Sequence, residues 1–233
     1  MKYVLADARM SQSCINSLKR ENITPIKLPH FSRLSPPVAS HPDMLLFLRG
    51  RKLYTSKQYY NEAKDVFSLI ESVSGVEIIT DDVNILPIYP NDIAFNCFDC
   101  NGYLFGLTKN LAKTILRDTE KTVNVRQGYA SCSTICADEK AIITADRSIA
   151  ECAEKIGVRV CFIQQGGVVL PRYEYGFIGG ACGVLDDTLY FTGDIDTHPC
   201  AKQIRDFIKS LGKNIVSLSD SLLCDYGKML FLP

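Results

Sequence analysis

A cysteine on a turn of small residues is the clearest candidate for chemistry in this chain. Cys132 follows Ala130 and Ser131 and comes just before a predicted strand that begins at Thr134. Small neighbours leave a thiol sterically open, and the thiolate form of cysteine is an effective nucleophile. The sequence therefore favours Cys132 as a nucleophile. The alternative interpretation is a small, buried hydrophobic side chain.

A glycine-rich stretch supplies a second candidate thiol. Cys182 follows Gly179, Gly180 and Ala181 at the start of another predicted strand. The glycines are more simply explained by close approach of backbone segments, since they have no Cβ. We therefore rank Cys182 after Cys132 as a nucleophile.

No pattern in the sequence indicates a bound metal or cofactor. Cys97 and Cys100 form a C-x-x-C pair across a predicted hairpin turn. A structural zinc site needs a second pair of ligands at regular spacing, and none is evident. The prediction is chemistry by side chains alone, with no metal and no cofactor.

The composition describes an ordinary globular protein. The chain has 233 residues, of which 46% are hydrophobic, and its formal net charge is zero. No linker divides it, so we predict one domain over residues 1–233. A neutral surface gives no electrostatic attraction to nucleic acid or to an anionic membrane. Ten cysteines without a signal peptide indicate reduced thiols and a cytoplasmic protein. The oligomeric state stays open.

The elements that must position these residues follow a repeating order. Strand, turn, strand, helix and strand recur, with helices predicted over residues 11–20, 57–73, 109–116, 148–156 and 198–211. The second unit is predicted to open with a strand over residues 93–97. One equivalent residue per unit recurs at a period of roughly 40 to 50, at Leu5, Tyr54, Phe105, Ile143 and Phe191. Periods of this size indicate solenoids, propellers or arrays.

The two ends of the chain together complete a fifth unit. Residues 222–232 supply only a predicted hairpin, and the missing helix and strand are the first elements, over residues 11–28. Leu230 and Tyr3 should therefore belong to one unit. The prediction is a ring of five units closed through the termini, rather than an open solenoid.

Three units share an acidic residue followed by a cysteine. The acidic residue ends a strand and the cysteine lies in the first turns of the next helix, at Asp7 and Cys14, Asp146 and Cys152, and Asp194 and Cys200. A carboxylate beside a helix start suits the positive end of the helix dipole. We expect the three cysteines to be buried on the helix faces that meet the ring, with no disulfide bonds between them.

Five strand-turn-strand-helix-strand units in a ring resemble the pentein superfamily, the β/α-propeller of the guanidine-modifying enzymes. The chain is most similar to a compact set of bacterial proteins that share HPDM, a QGYA-x-CS turn and GFIGGA. This resemblance implies an α/β fold, a five-bladed β/α-propeller of ββαβ repeats. It also implies that the units begin at a different point of the ring than in the usual enzymes.

The resemblance also assigns roles to residues. The superfamily's H-x-D motif matches His41 and Asp43, and its cysteine two units later matches Cys132. Its first acidic motif is matched nearest by Asn91-Asp92. By resemblance Cys132 is the nucleophile, His41 moves protons, and Asp43 and Asp92 bind the guanidinium. Asn91, Gly180 and Cys182 complete the predicted substrate-binding set. We expect Cys132, His41 and Asp43 to converge at one mouth of the central channel, with Asp92 nearby.

Two functions from different classes follow. The first is a cysteine-dependent hydrolase or amidinotransferase-like enzyme that acts on a small guanidine or amidine compound through a covalent thiouronium-type intermediate. The second is a non-catalytic binding protein on the same fold, because the ribosome anti-association factor is a pentein without this chemistry. The H-x-D motif together with the cysteine favours the enzyme.

Overall fold

The computed structural model describes residues 2–233, which form a mixed α/β fold of seventeen short strands and seven α-helices. The strands are β1 Lys2–Asp7, β2 Ile23–Leu28, β3 Leu46–Arg49, β4 Lys52–Ser56, β5 Glu77–Asp81, β6 Phe98–Cys100, β7 Tyr103–Gly106, β8 Thr122–Asn124, β9 Thr134–Asp138, β10 Ala141–Thr144, β11 Arg159–Phe162, β12 Val168–Val169, β13 Cys182–Leu185, β14 Thr188–Phe191, β15 Asn214–Ser217, β16 Leu223–Cys224 and β17 Leu230–Phe231. The helices are α1 Gln12–Arg20, α2 Pro42–Leu45, α3 Lys57–Glu62, α4 Lys64–Ser74, α5 Lys113–Arg117, α6 Arg147–Lys155 and α7 Ala201–Ser210. Between residues 2 and 233, no helix is long and apolar enough to cross a membrane.

Four three-stranded sheets repeat one topology. Their orders are β3-β4-β5, β6-β7-β8, β9-β10-β11 and β13-β14-β15. In each, the first strand pairs antiparallel with the central strand through a short turn, and the third strand pairs parallel with it. A parallel partner requires a crossover connection, and a helix supplies it each time. The predicted strand-turn-strand-helix-strand unit is therefore present in all four.

A fifth three-stranded sheet joins the two ends of the chain. Its order is β17-β1-β2, with β17 antiparallel and β2 parallel to β1. Leu230 pairs with Leu5, and the Leu232 amide donates to the carbonyl of Tyr3 at 3.0 Å. This confirms the prediction that the terminal strands are neighbours. Closure of the five sheets around one axis stays a prediction.

The repeat register read from the sequence matches the sheets. Each of the five equivalent residues lies on the central strand of its own sheet and is fully buried: Leu5, Tyr54, Phe105, Ile143 and Phe191. The first strands of successive units contact one another, from β6 to β9, β13 and β17. The segments that lead into these first strands are therefore brought near each other.

Several predicted boundaries are wrong. The helix over residues 57–73 is two helices, because Ala63 at φ −117° interrupts the helical backbone. Residues 93–97 form a turn, in which the Asn96 amide bonds the Ile93 carbonyl, and the strand begins only at Phe98. The helices predicted over 109–116 and 198–211 begin later, at Lys113 and Ala201, each after a short 3₁₀ turn.

The predicted hairpin over residues 222–232 is also wrong. Leu223 pairs in parallel with Val168, so β16 forms a separate two-stranded sheet with β12. Only β17 joins the sheet of the termini. The segment between β16 and β17 therefore lies outside the sheet of the termini, and its Gly227 packs against His41.

The recurrent cysteines do not share one environment. Cys14 is fully buried and its thiol donates to the Thr192 carbonyl at 3.0 Å. Cys152 and Cys200 are only partly buried, so the prediction of burial is confirmed for Cys14 alone. Cys200 differs because it is the N-cap of α7 rather than a residue on the inner face of the helix. All ten cysteines are free, as predicted for these three.

Candidate active site

Segments that lead into the first strands of different units meet at one cavity of about 290 Å³. His41 precedes β3, Cys132 precedes β9 and Asp225 precedes β17, and all three line this cavity together with Asp92. The repeat explains the meeting of residues far apart in sequence, because equivalent positions of adjacent units face a common space.

The thiol of Cys132 is held by an asparagine from the preceding unit. The Asn96 side-chain amide donates to the Cys132 sulfur at 3.0 Å and to the backbone carbonyl of Asp43 at 3.1 Å. Its oxygen accepts from the backbone amides of Ser131 and Cys132 at 2.8 and 3.3 Å. Asn96 therefore ties the turn of the candidate nucleophile to the H-x-D segment.

Burial sets the protonation state of this thiol. Cys132 is 3% exposed, and desolvation together with the nearby carboxylates of Asp43 and Asp225 raises its pKa well above the ordinary range of a cysteine. In the protein without ligand the sulfur is therefore a thiol, not a thiolate.

Asp43 is a buried carboxylate beside the Cys132 thiol. It lies in the first turn of α2, where Pro42 occupies the first helical position and the Asp43 amide donates to the Gly227 carbonyl at 3.0 Å. No N–H or O–H group donates to either side-chain oxygen, and the neighbouring Cys132 thiol acts on the carboxylate to lower its pKa. Burial raises the pKa of Asp43 to about 6. The group is therefore ionised at neutral pH, and no N–H or O–H donor pairs with its charge.

His41 lies between two carboxylates. Its Nδ1 is 3.7 Å from Asp225 Oδ1, and its Nε2 is 3.6 Å from Asp7 Oδ2. Both distances exceed hydrogen-bonding range, so neither ring nitrogen is paired. Burial lowers the pKa of His41, although the two carboxylates oppose this effect. The imidazole is therefore neutral at neutral pH and available to accept a proton.

Hydrogen bonds from neighbouring groups hold the carboxylates of Asp7 and Asp225 in position. Asp7, at the end of β1, receives Arg9 Nε at 2.9 Å and Arg9 Nη2 at 2.5 Å. Asp225 accepts from the backbone amides of Phe177 and Gly227, both at 2.9 Å. Burial raises the pKa of Asp225, and the charge of His41 would oppose that change. These hydrogen bonds hold the two carboxylates in position beside the imidazole ring of His41.

Two glycines make room for this arrangement. A Cβ on Gly180 would lie 1.9 Å from Asp225 Oδ1, and a Cβ on Gly227 would lie 2.1 Å from the Cβ of His41. Gly227 also has φ +71°, which favours glycine. Gly180, predicted to bind substrate, therefore provides space for Asp225, and its amide donates to the Cys132 carbonyl.

The remaining predicted residues divide into two groups. Asp92 lines the cavity and accepts a hydrogen bond from the Tyr129 hydroxyl at 2.8 Å. Burial raises the pKa of Asp92. Asn91 and Cys182 lie outside this cavity: Asn91 borders a separate surface hollow beside Pro90, and Cys182 faces another space. The structure therefore brings together Cys132, His41, Asp43 and Asp92, but not Asn91 or Cys182.

Three site residues were not found from the sequence. Asn96 and Asp225 precede the first strands of the second and fifth units, so the repeat register could have found them. Asp225 was instead interpreted as part of a hairpin turn that does not form. Asp7 was interpreted as a helix-start residue, whereas Ser11 caps α1.

Together these groups form a recognisable chemical set. A thiol, a neutral imidazole and the carboxylates of Asp92 and Asp225 line the cavity, and Asp43 lies beside Cys132 outside that lining. Asp92 has one oxygen without a partner, and Asp43 has no N–H or O–H donor. Carboxylates with free oxygens bind planar N–H donors well, and a thiol beside an imidazole can act as a nucleophile. The site is therefore suited to a small cation that is open to attack by sulfur.

Solved structures with a similar fold include the following three. One is a dimethylarginine dimethylaminohydrolase from Pseudomonas aeruginosa complexed with citrulline, with 10% identity, TM-score 0.54, and coverage of 94% of this chain and 92% of that chain. Another is an inosamine-phosphate amidinotransferase from Streptomyces griseus, with 11% identity, TM-score 0.58, and coverage of 94% and 78%. A third is an agmatine deiminase from C. jejuni, with 13% identity, TM-score 0.51, and coverage of 93% and 76%.

Sequence comparison adds the family. No curated protein matches the chain. The model of a family of unknown function (DUF6873) matches residues 5–230, which is nearly the whole chain. The chain therefore belongs to that family, and its fold is that of the pentein superfamily.

Proposed function

We propose that this protein is a cysteine-dependent hydrolase or amidinotransferase-like enzyme that acts on a small guanidine or amidine compound. The observation that carries the proposal is the buried carboxylate of Asp43, which lies beside the Cys132 thiol and receives no N–H or O–H donor on either oxygen. Such a group is costly to bury alone, and a guanidinium offers two parallel N–H donors to it. Asn96 bonds both the Asp43 backbone and the Cys132 sulfur, so a guanidinium on Asp43 would lie next to the nucleophile.

The resting state of Cys132 fits a reaction that starts only with substrate bound. Burial raises the pKa of Cys132 well above its ordinary range. A guanidinium beside the sulfur would lower that pKa, because a nearby positive charge favours the thiolate. Burial lowers the pKa of His41, so its neutral ring can take the thiol proton.

The proposed first step forms a thiouronium intermediate. Cys132 sulfur attacks the guanidinium carbon, the new C–S bond forms, and the C–N bond to the leaving amine breaks. The thiol proton passes to His41 and then to the departing amine, so the positive charge stays on the carbon unit. Asp43 holds that unit in place by charge-assisted hydrogen bonds.

The second step releases the product. Water attacks the same carbon and the C–S bond breaks. One water proton returns to Cys132 through His41, and the second is released with the positive charge to leave a neutral urea-type product. An amine in place of water would make the reaction a transfer. Asp225 and Asp7 stabilise the imidazolium that forms in each step.

Structures with the same fold support the reaction class. They include a dimethylarginine dimethylaminohydrolase, an amidinotransferase and an agmatine deiminase. Their names describe hydrolysis and transfer at guanidine carbons. This agrees with the reaction that we propose for Cys132, His41 and Asp43.

The test is turnover and trapping with a panel of guanidine compounds. We expect Cys132→Ser to lose at least about a thousandfold in kcat/KM, because the nucleophile is removed. Wild-type protein quenched during turnover should carry a covalent mass increase on the peptide that contains Cys132. His41→Ala should slow decay of that adduct, because water then lacks a base.

Cys182→Ser is the matched control. Cys182 is as deeply buried as Cys132, but it faces a different space. It should keep turnover and adduct formation. An adduct on Cys182 would move the nucleophile there. Tight guanidine binding without turnover or adduct would favour the non-catalytic binding protein, for which the protonated resting state of Cys132 is the supporting observation.

A further inference from the structure

The cavity beside Cys132 is lined by carboxylates without cationic side chains. Asp92, Glu174 and Asp225 all face it. Within residues 2–233, no lysine or arginine is part of its lining. A ligand with a carboxylate would therefore bring a negative charge towards three others without a compensating partner. The lining disfavours amino-acid substrates such as arginine.

Two cationic side chains lie near the site but outside the cavity, and each already forms hydrogen bonds with other groups of the protein. The Arg9 guanidinium binds both oxygens of Asp7 and also donates to the Pro36 carbonyl at 3.2 Å. Lys228 Nζ donates to the Ser131 hydroxyl at 3.0 Å and faces the separate space that contains Cys182. Neither cation is placed to bind a carboxylate in the cavity.

Aromatic rings form the outer part of the cavity. The rings of Tyr89 and Tyr129 lie 5.6 Å apart, Tyr129 and Phe177 lie 6.1 Å apart, and Phe177 and Tyr175 lie 6.3 Å apart. Tyr89 is 47% exposed and Tyr173 is 52% exposed at this mouth. Ring faces attract cations and cover apolar chains. This part of the cavity is therefore suited to a cationic or apolar group.

A buried carboxylate lies among these rings with one oxygen unused. Asp92 is 6% exposed. One of its oxygens accepts from Tyr129, and Oδ1 has no hydrogen-bond partner. Asp92 lines the cavity, and a buried, unpaired oxygen on such a residue indicates a missing donor. An ammonium on the ligand would supply that donor.

We propose that the ligand of this cavity is a guanidinium compound whose tail carries no carboxylate and ends in an amine near Asp92. This inference rests on the proposed function for the guanidinium end, and it adds the chemistry of the tail. The guanidinium would bind Asp43 beside Cys132. The tail would cross the aromatic rings towards Asp92. Agmatine represents this class, and arginine differs from it only by the carboxylate.

The experiment measures binding to the Cys132→Ser protein by titration calorimetry at pH 8. Agmatine and arginine form one matched pair, and tyramine and tyrosine form a second pair without guanidine. We expect agmatine to bind at least tenfold more tightly than arginine, and tyramine more tightly than tyrosine. Asp92→Asn should weaken the affinity for agmatine at least fivefold and leave the affinity for butylguanidine unchanged. Asp82→Asn, at a highly exposed carboxylate outside the cavity, should change neither.

The possible results distinguish the inference about the tail of the ligand from the proposed function, which concerns its guanidinium end. Arginine binding as tightly as agmatine would overturn the inference and leave the proposed function in place. Tyramine preferred over tyrosine, with no guanidine bound, would remove the proposed function and keep the exclusion of carboxylates. No binding by any of the four compounds would overturn both.

Discussion

Cys132, His41 and Asp43 are all shielded from water, and each lacks the partner that its chemistry requires. The carboxylate of Asp43 has no N–H or O–H donor, neither imidazole nitrogen is bonded, and burial keeps the thiol protonated. In most folded proteins a buried polar group is paired, because an unpaired one costs about 1–3 kcal/mol. His41 and Cys132 line one cavity and Asp43 lies beside Cys132, so this cluster points to a ligand that supplies the missing partners.

The pH dependence of guanidinium binding tests this directly. Burial raises the pKa of Asp43 from its ordinary 3.8 to about 6, so the carboxylate is neutral below that pH and charged above it. The guanidinium stays charged throughout. Affinity for Cys132→Ser should therefore increase as pH rises through about 6, with roughly a tenfold gain from pH 5 to pH 7, because each unit below the pKa is tenfold. Calorimetric titrations between pH 5 and 8 provide the measurement.

Asp43→Asn is the control for that titration. It keeps the shape of the side chain and removes the titrating group, so its affinity should be low and nearly flat with pH. The pKa values of Asp225 and Asp92 are also raised by burial. If the affinity of Asp43→Asn still increased with pH to the same extent, the pH dependence would belong to Asp225 or Asp92 instead.

Residue types alone revealed only part of the site. The sequence predicts Cys132 from its small neighbours, and His41 and Asp43 from an H-x-D motif. Asn96 and Asp225 have no local motif, and their importance comes from contacts made across units. Such contacts depend on the relative placement of sheets, which a single sequence does not state. The repeat register does provide a signal, because both residues come shortly before a first strand.

At the scale of elements, the segment between β16 and β17 determines the position of His41. Its Gly227 approaches the histidine backbone so closely that a Cβ there would be 2.1 Å from His41 Cβ. The Gly227 carbonyl also accepts from the Asp43 amide. One short connection therefore fixes both residues of the H-x-D motif.

Gly227→Ala should separate this contact from ordinary backbone strain when compared with Gly212→Ala. Both glycines have φ near +71°, but a Cβ on Gly212 would meet no atom within 4 Å. Each alanine should cost about 1–2 kcal/mol for the left-handed backbone. Gly227→Ala should cost about 3–5 kcal/mol in all, because it adds a steric clash in the core. Urea unfolding gives the free energies.

A second measurement tests whether the clash reaches the site. The C2 proton of His41 should shift in the NMR spectrum of Gly227→Ala and stay unchanged in Gly212→Ala. Equal losses of stability in the two variants, with His41 unshifted, would show that the segment adapts without moving the histidine.

Element boundaries were predicted least well where tertiary contacts override local pattern. The apolar spacing over residues 57–73 is helical throughout, yet the backbone breaks at Ala63. Residues 93–97 look like a strand, but they turn so that Asn96 reaches Cys132 and Asp43. In both segments the sequence indicates the apolar faces, and packing between units decides where the element begins.

The whole molecule is organised by units that recur, and one of them is divided between the termini. Its sheet contains β17 from the end of the chain and β1 and β2 from the beginning. The repeat period predicted this, because the gap between central-strand positions through the join is similar to the gaps elsewhere in the chain. The site draws on the same feature, since Asp225 precedes β17 and Asp7 ends β1, and both face His41.

A circular permutant tests this organisation. Because the Leu232 amide bonds the Tyr3 carbonyl, a short Gly/Ser linker should join the natural ends without disturbing β1 or β17. New ends opened in the exposed turn between Asp186 and Asp187 should preserve one cooperative urea transition and cost less than about 3 kcal/mol. His41 should also keep its NMR shift, because β1 still positions Asp7 and the Phe177 and Gly227 amides still hold Asp225. The control opens the chain between Ile142 and Ile143 in the fully buried strand β10, and it should fail to fold. A linked permutant that unfolds in two separate steps would contradict the shared unit, since it would show that the two ends of the chain stabilise different parts of the protein.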